Sequence, residues 1–249
     1  MKIGAQLYTV REYAKTAKDL AETVKKIADI GYEYVQVSGI GPIPFREVAD
    51  ICKANGISAP ITHANPTRVR DETEQVITEH RILGASYVGI GGMHGDYERN
   101  AEGVTRFIAD FTPAIEKIHA AGMTFMYHNH AYEFEKYGSK LMMEYLMEGL
   151  PQIGFTLDTY WVQTGGADPS AWIKKLSKRI DVVHFKDMAY TADKQMMAVP
   201  MEGNLNWCGI FEACQAAGVK YAMVELDDCY GADPFECLKR SYDNLKGAL

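Results

Sequence analysis

The sequence contains few cysteines, no long apolar run and no excess of basic residues. Its five cysteines are odd in number and include no Cys-x-x-Cys pair, which argues against a disulfide framework or a thiolate zinc site. No segment approaches the roughly 18 apolar residues of a membrane span. The first residues lack the apolar core of a signal peptide. These features predict a cytoplasmic protein that has no membrane partner.

The charge balance also excludes a class of partner. Lysine and arginine together number 26, against 33 aspartates and glutamates, so the formal charge is −7. Nucleic-acid binding depends on clustered basic residues, so we predict no nucleic-acid partner and favour a small neutral ligand. No linker-like tract of proline, glycine or serine divides the 249 residues, which predicts a single domain over 1–249. The 12 methionines and 15 tyrosines leave room for an interface, so a homo-oligomer is compatible with the composition.

Short apolar or β-branched runs alternate with helical patterns along the whole chain. The pattern predicts eight strands, which begin near Lys2, Glu33, Ile57, Ser86, Met123, Ile153, Ile180 and Val219. Eight βα units close most economically as a (β/α)₈ TIM barrel of the α/β class, with an open doubly wound sheet as the alternative.

Helix boundary signals agree with this register. Asp168-Pro169 and Asp233-Pro234 each predict an N-cap followed by proline in the first helical position. Glycines predicted to end helices just before a strand are Gly31, Gly56, Gly84, Gly122 and Gly218. Two long loops, 91–100 and 188–203, follow predicted strands four and seven, and the second is a candidate lid.

Charged or ionisable residues interrupt the ends of three apolar strands: Asp158, His184 and Glu225. A buried charge costs several kcal/mol unless it is paired or binds a metal, so these ionisable residues at matching places of successive strands indicate a shared site. A carboxylate from the tail of strand five, in YHNHAYEFE, would complete four ligands. Three oxygens and one nitrogen suit Mn²⁺, Mg²⁺ or Co²⁺. A metal-free ion network that includes Lys186 is the alternative.

Other polar and aromatic residues at predicted strand ends or in the following loops are candidates for substrate contacts. They are Tyr8, His63, His128, His130, Trp161, Glu202 and Trp207. Polar groups here would orient a ligand, and aromatic faces would pack on its C–H surface.

Five motifs together resemble the sugar phosphate isomerase/epimerase family of xylose isomerase-like TIM barrels. They are YHNHAYEFE, LDTYWVQTGGADP, HFKDM, MEGNLNW and VELDDCYGADPFECLKRSYDNL. The resemblance implies a divalent metal ion held by Glu133, Asp158, His184 and Glu225, with Mn²⁺ favoured over Mg²⁺, Co²⁺, Ni²⁺ and Zn²⁺. The family pattern HNHxxEF, and not spacing, selects Glu133 over Glu135 or His130.

The chemistry that this resemblance implies is sugar isomerisation or epimerisation, in which a proton is abstracted next to a carbonyl through a metal-stabilised enediolate. Glu133 and Glu225 would remove and return the proton on opposite sides of a sugar or keto-sugar. Lys186 would support the developing oxyanion, although an ion pair with Asp187 or Glu202 is a second interpretation.

One departure from the family pattern concerns substrate choice. Where ketose 3-epimerases and apurinic-site endonucleases carry a histidine, three residues after the strand-six aspartate, this chain has Trp161. Other activities therefore stay open. They are a dehydratase or lyase acting on a keto-sugar, an inosose or a 3-keto-glycoside, a non-catalytic sugar-binding protein, and a metal-dependent nuclease, which the negative charge disfavours.

Overall fold

The chain folds as a closed barrel of eight parallel strands in the computed structural model, which describes residues 1–248. In chain order the strands are β1 Lys2–Gln6, β2 Tyr34–Val37, β3 Ser58–His63, β4 Tyr87–Ile90, β5 Thr124–His128, β6 Gly154–Asp158, β7 Val182–Phe185 and β8 Tyr221–Val224. Each strand pairs with the next, and β1 closes against β8 with Lys2 opposite Tyr221. The (β/α)₈ prediction is confirmed, and every strand begins within two residues of its predicted start.

Helices cover the outside of the barrel and connect its strands. They are α1 Ala17–Ile30, α2 Phe45–Ala54, α3 Pro66–Asp71, α4 Thr73–Leu83, α5 Ala101–Ala120, α6 Met142–Gly149, α7 Thr159–Thr164, α8 Pro169–Lys175, α9 Trp207–Ala217 and α10 Pro234–Lys246. Among residues 1–248, none of these helices combines the length and the apolar character that crossing a membrane requires.

The predicted helix boundaries are those of the structure. The Asp168 carboxylate accepts the Ser170 N–H at 2.8 Å, and the Asp233 carboxylate accepts the Phe235 N–H at 2.7 Å. All five predicted glycines have positive φ, which L-residues with a side chain rarely adopt. The sequence therefore encodes where most of the helices stop and the next strand starts.

Apolar side chains fill the lower part of the barrel interior, which is the end at which the strands begin. Ile61, Tyr87, Met126, Val182 and Met223 form a separate buried cluster inside the strands. Tyr34 and Tyr221, at the starts of their strands, pack against this cluster. Because the apolar filling stops short of the opposite end, the polar residues at the C-terminal ends of the strands line an opening there.

The segment after β7 forms a two-stranded antiparallel ribbon, Asp187–Thr191 with Lys194–Ala198. This ribbon is the main part of the predicted lid. Its outer strand contacts the rim at two places. The Met197 N–H donates to the Tyr230 hydroxyl at 3.1 Å, and the Gln195 amide donates to Thr164 Oγ1 at 2.5 Å.

A buried aspartate fixes the chain that returns from this ribbon to the barrel. Asp187 is fully buried, and its Oδ2 accepts the Gly203 N–H at 2.9 Å and the Trp207 indole N–H at 2.6 Å. Its Oδ1 accepts the N–H groups of Met188 at 2.7 Å and Leu205 at 3.2 Å. One side chain therefore satisfies four donors, of which the Leu205 N–H and the Trp207 indole N–H are buried and would otherwise lack a partner.

Asp187→Ala should lower the free energy of unfolding by about 3 kcal/mol, because four donors lose their acceptor in a buried place. Urea denaturation measures the loss. Asp50→Ala, at an exposed position of α2, is the matched control and should change stability by no more than about 0.5 kcal/mol. Equal unfolding midpoints for the two variants would contradict the anchoring role of Asp187.

Candidate metal centre and substrate cavity

Four buried ionisable residues meet at the C-terminal ends of neighbouring strands. His128 ends β5, Asp158 ends β6, His184 lies in β7 and Glu225 directly follows β8. Each offers one ligand atom, and these four atoms lie within 4.8 Å of one another. The structure thus brings together three of the four residues that the sequence predicted as ligands.

Hydrogen bonds orient each of these side chains. His184 Nε2 donates to Gln36 Oε1 at 2.7 Å, which leaves Nδ1 directed at Glu225 Oε2, 2.9 Å away. Asp158 Oδ1 accepts the Trp161 N–H at 3.0 Å, so its Oδ2 is the oxygen that faces the cluster. That oxygen lies 3.4 Å from His128 Nε2 and 3.8 Å from His184 Nδ1.

The Lys186 ammonium group lies among these four side chains. Its Nζ is fully buried and lies 3.0 Å from Asp158 Oδ2, 2.9 Å from Glu225 Oε2 and 2.9 Å from Asp227 Oδ2. An ammonium group has three N–H donors, and all three have carboxylate neighbours here. Lys186 therefore acts first as the counter-ion of the cluster.

The buried charges lower the pKa values of Asp158 and Glu225 and raise the pKa of His184. Burial opposes ionisation of Asp158 and Glu225, but the Lys186 charge and the contacts of His128 and His184 together outweigh it and hold the pKa of each carboxyl well below its usual range. Burial likewise disfavours protonated His184, yet the Glu225 and Asp158 charges raise the pKa of His184 to about 9. Asp158 and Glu225 are therefore ionised at neutral pH, and the positive charges of Lys186 and His184 compensate them.

Glu133 lies outside this group of four. Its carboxylate is fully buried, where Oε1 accepts the Tyr127 hydroxyl at 2.8 Å and Oε2 accepts the His130 backbone N–H at 2.7 Å. Burial raises the pKa of Glu133 to about 7. His128 occupies the fourth position in its place, and the role of Glu133 as a ligand and base stays a prediction of the resemblance.

The donor chemistry of the group suits a divalent transition metal. Two imidazole nitrogens and two carboxylate oxygens are present, instead of the predicted one nitrogen and three oxygens. Such a mixed set accepts Mn²⁺, Co²⁺ and Zn²⁺, and imidazole gives Zn²⁺ more weight than the sequence suggested.

A cavity of about 380 Å³ lies directly beside the cluster. Its lining includes Tyr8, Ser38, His63, Gly91, His128, His130, Trp161, Glu225 and Asp227. Three buried nitrogens of this lining, His63 Nε2, His130 Nδ1 and Trp161 Nε1, have no hydrogen-bond partner among the described residues. Buried polar atoms are rarely left unpaired, so these three nitrogens point to a ligand rich in polar groups.

Two histidines of the cavity, His63 and His130, are neutral at physiological pH. Burial lowers the pKa of His63 well below its usual range, and burial with the nearby His128 lowers the pKa of His130 to about 3. A neutral imidazole has one donor and one acceptor nitrogen, so each ring can bind a hydroxyl group in either sense.

Two predicted substrate contacts lie away from this cavity. The Glu202 carboxylate pairs with Arg240 and accepts the Asn244 amide at 3.3 Å. The Trp207 indole N–H is bound to Asp187 and only 8% of the residue is exposed. The structure therefore brings Tyr8, His63, His128, His130 and Trp161 to the cavity but not these two residues.

Three further residues support the site, and the sequence analysis assigned this role to none of them. Asp227 binds the Lys186 ammonium, Gln36 orients His184, and the Thr159 hydroxyl accepts the backbone N–H of Lys186 at 3.1 Å. Asp227 had a usable signal, because it stands two residues after Glu225 and alternate residues of an extended segment share a side. Gln36 ends a predicted strand, but nothing local distinguishes it from a residue that contacts substrate.

A family profile described as xylose isomerase-like TIM barrel matches residues 24–246. The chain belongs to this family. Among curated proteins, none matches the chain significantly in sequence.

Solved structures resemble this xylose isomerase-like barrel over its whole length. A sugar phosphate isomerase/epimerase from Parabacteroides distasonis superposes with a TM-score of 0.83 at 23% identity, covering 98% of this chain and 97% of that one. An L-ribulose 3-epimerase gives a TM-score of 0.76 at 16% identity, with coverages of 100% and 95%. A probable 3-DHS dehydratase from Bacillus anthracis gives 0.73 at 15% identity, with 99% of each chain covered. At these identities the likeness establishes the fold.

Proposed function

We propose that this xylose isomerase-like barrel is a divalent-metal-dependent sugar isomerase or epimerase. The observation that carries the proposal is the meeting of four buried ligand atoms within 4.8 Å, beside a cavity with three unpartnered nitrogens. The similar folds of a sugar phosphate isomerase/epimerase and an L-ribulose 3-epimerase support the same class of substrate. The reaction would remove a proton from the carbon next to a carbonyl and return it to a different position or face.

His128, Asp158, His184 and Glu225 would hold the metal ion. When bound, a divalent ion acts as a Lewis acid that polarises the substrate carbonyl and stabilises negative charge on oxygen. Gln36 fixes the ring of His184, and the Trp161 N–H fixes the carboxylate of Asp158. Such supporting hydrogen bonds keep ligand atoms in place before the substrate arrives.

Glu225 is the group that we assign to proton removal. Its side chain borders the cavity and is only 6% exposed, so water is largely excluded from the carboxylate. Before a metal ion binds, the Lys186 ammonium, 2.9 Å from Oε2, keeps the Glu225 carboxylate ionised and in place. We therefore assign Lys186 a positioning role, in which it acts through Glu225.

The remaining walls of the cavity would orient the sugar. The neutral rings of His63 and His130 and the indole N–H of Trp161 offer hydrogen bonds to hydroxyl groups. Because the Trp161 ring also adjoins His130, with 5.3 Å between ring centroids, it excludes water from that wall. We assign the return of the proton to Glu133, the second carboxyl group of the family motif, which lies behind the His130 backbone N–H and whose pKa of about 7 makes its protonated form available at neutral pH.

A second cavity favours a second candidate activity, which is elimination from a keto-sugar, an inosose or a 3-keto-glycoside. This cavity of about 590 Å³ shares Gly91, His130 and Trp161 with the first. Its lining also includes Tyr132 and Arg99, whose guanidinium lies 3.9 Å from the centre of the Tyr132 ring. A leaving group could be accommodated there while Glu225 removes the proton, and the probable 3-DHS dehydratase from Bacillus anthracis has a similar fold.

Proton exchange with solvent tests both activities in one experiment. The purified protein is incubated in D₂O with Mn²⁺ and a panel of free ketoses, inososes and 3-keto-glycosides, and proton NMR follows each C–H signal. We expect one substrate to lose the signal next to its carbonyl while an epimer or an isomer appears.

The two activities give different products. Elimination would instead yield an unsaturated product that absorbs in the near ultraviolet. A sugar that binds without exchange, in the presence of a chelator as well as of Mn²⁺, would contradict both activities and indicate the sugar-binding protein. Exchange that is equally fast after exhaustive chelation would contradict the metal requirement alone.

A further inference from the structure

Lys186 shares its contacts with the candidate metal centre. Its ammonium lies within 3.0 Å of Asp158 Oδ2 and 2.9 Å of Glu225 Oε2. These are the same two oxygens that face His128 and His184 in the group of four ligands. The ammonium therefore contacts the same carboxylate oxygens that a metal ion would bind.

An ammonium and a metal ion cannot both keep these oxygens. A metal ion binds a carboxylate oxygen at about 2.1 Å, so the two positive charges would lie at most roughly 5 Å apart inside a buried site. Repulsion between like charges at that separation is poorly screened where water is excluded. One of the two cations has to move when the other binds.

The third contact of the ammonium provides a place to move to. Asp227 Oδ2 lies 2.9 Å from Nζ, and Asp227 is not one of the four grouped ligands. The Asp227 side chain is 27% exposed, whereas Asp158 is fully buried, so this carboxylate lies nearer to solvent. An ammonium that let go of Asp158 and Glu225 would still keep a charged partner.

We propose that Lys186 is a built-in competitor for the metal ion, so that a metal binds only when the ammonium withdraws toward Asp227. The inference rests on the proposed metal centre. The metal affinity of the site then depends on Lys186, which is not one of the four ligands. Without a metal the carboxylates remain paired, which spares the fold the large cost of unpaired buried charges.

Removing the competitor should tighten metal binding. We expect Lys186→Met, which has a similar length and no charge, to lower the dissociation constant for Mn²⁺ on the order of 100-fold. Asp227→Asn should weaken binding, since the ammonium loses the partner to which it withdraws. Lys220→Met is the matched control and should leave the affinity unchanged, because Lys220 pairs with Asp181 outside the site at 3.0 Å.

Mn²⁺ alone is titrated into the wild type and the three variants, in competition with a fluorescent chelating indicator, and each melting temperature is recorded with and without Mn²⁺. Tighter binding by Lys186→Met and weaker binding by Asp227→Asn support the inference. Unchanged or weaker binding by Lys186→Met overturns it. A Lys186→Met chain that folds only with Mn²⁺ also supports it, because the metal then replaces the missing cation.

The outcomes separate this inference from the proposed function. If wild type and Lys186→Met bind Mn²⁺ equally well, competition is overturned and the metal centre stands. If neither binds Mn²⁺, competition and the metal centre both fall, and deuterium exchange by the wild type still tests the reaction. If Lys186→Met folds under neither condition, Asp227→Asn decides, and unchanged or tighter binding by that variant overturns the inference.

Discussion

Asp158→Asn should lower kcat/KM by at least about 10³-fold and remove the bound metal, because the oxygen that faces His128, His184 and Lys186 loses its charge. Asparagine keeps the size of the side chain and an oxygen that can accept the Trp161 N–H. The loss would therefore report on the cluster and not on the start of α7. Metal content by mass spectrometry and steady-state kinetics measure the two effects.

The same substitution elsewhere provides the control. Asp168 is the N-cap of α8, and asparagine caps helices equally well, so Asp168→Asn should keep its metal and its activity. An Asp158→Asn variant with full metal content and normal turnover would rule out the proposed centre. Loss of activity with full metal content would move Asp158 from the ligand set to the substrate contacts.

His128→Ala should weaken Mn²⁺ binding by about 10- to 100-fold or more, whereas Glu133→Gln should stay within about 3-fold of the wild type. The reason is that His128 Nε2 joins the group of ligand atoms, while both Glu133 oxygens already accept hydrogen bonds from Tyr127 and His130. The two variants are titrated side by side with Mn²⁺. The reverse ranking would restore the ligand set implied by the family motif.

Glu133→Gln should change stability in a different way, through pH. The folded state raises the pKa of Glu133 from 4.5 to about 7, so it favours the neutral acid more than the unfolded chain does. The wild type is then most stable, relative to Glu133→Gln, below pH 4.5, and it loses about 3 kcal/mol of that difference as the pH rises through 7. Urea denaturation of the metal-free proteins between pH 4 and 8 measures this difference. A difference that does not vary with pH would contradict the burial of an ionisable Glu133.

The sequence carried most of the fold because its signals are local. Asp168 and Asp233 mark helix starts by their own carboxylates, and the glycines mark helix ends by their own backbone angles. Asp158, His184 and Glu225 were recognisable because each is an ionisable residue at the end of an apolar strand. Barrel closure then brings such strand ends together without further information.

The rest of the site depends on directions that spacing does not encode. His128 and Glu133 lie in one motif, yet the chain leaves β5 between them and turns the Glu133 carboxylate toward Tyr127. Glu202 and Trp207 follow the ribbon closely, but Asp187 accepts hydrogen bonds that hold this returning chain to the outside of the cavity. These outcomes depend on contacts between distant segments, which a motif in one segment cannot specify.

The apolar cluster in the lower barrel limits how small molecules can enter and leave the cavity. Ile61, Tyr87 and Met126 belong to the side chains that fill this end, so a ligand beside Glu225 faces a closed floor. In the proposed reaction, substrate and product would pass through the same open end of the cavity, whose lining includes Tyr8 and Trp161. A product that stays bound there prevents the next substrate from binding, so the rate of product release would set an upper limit on the turnover rate.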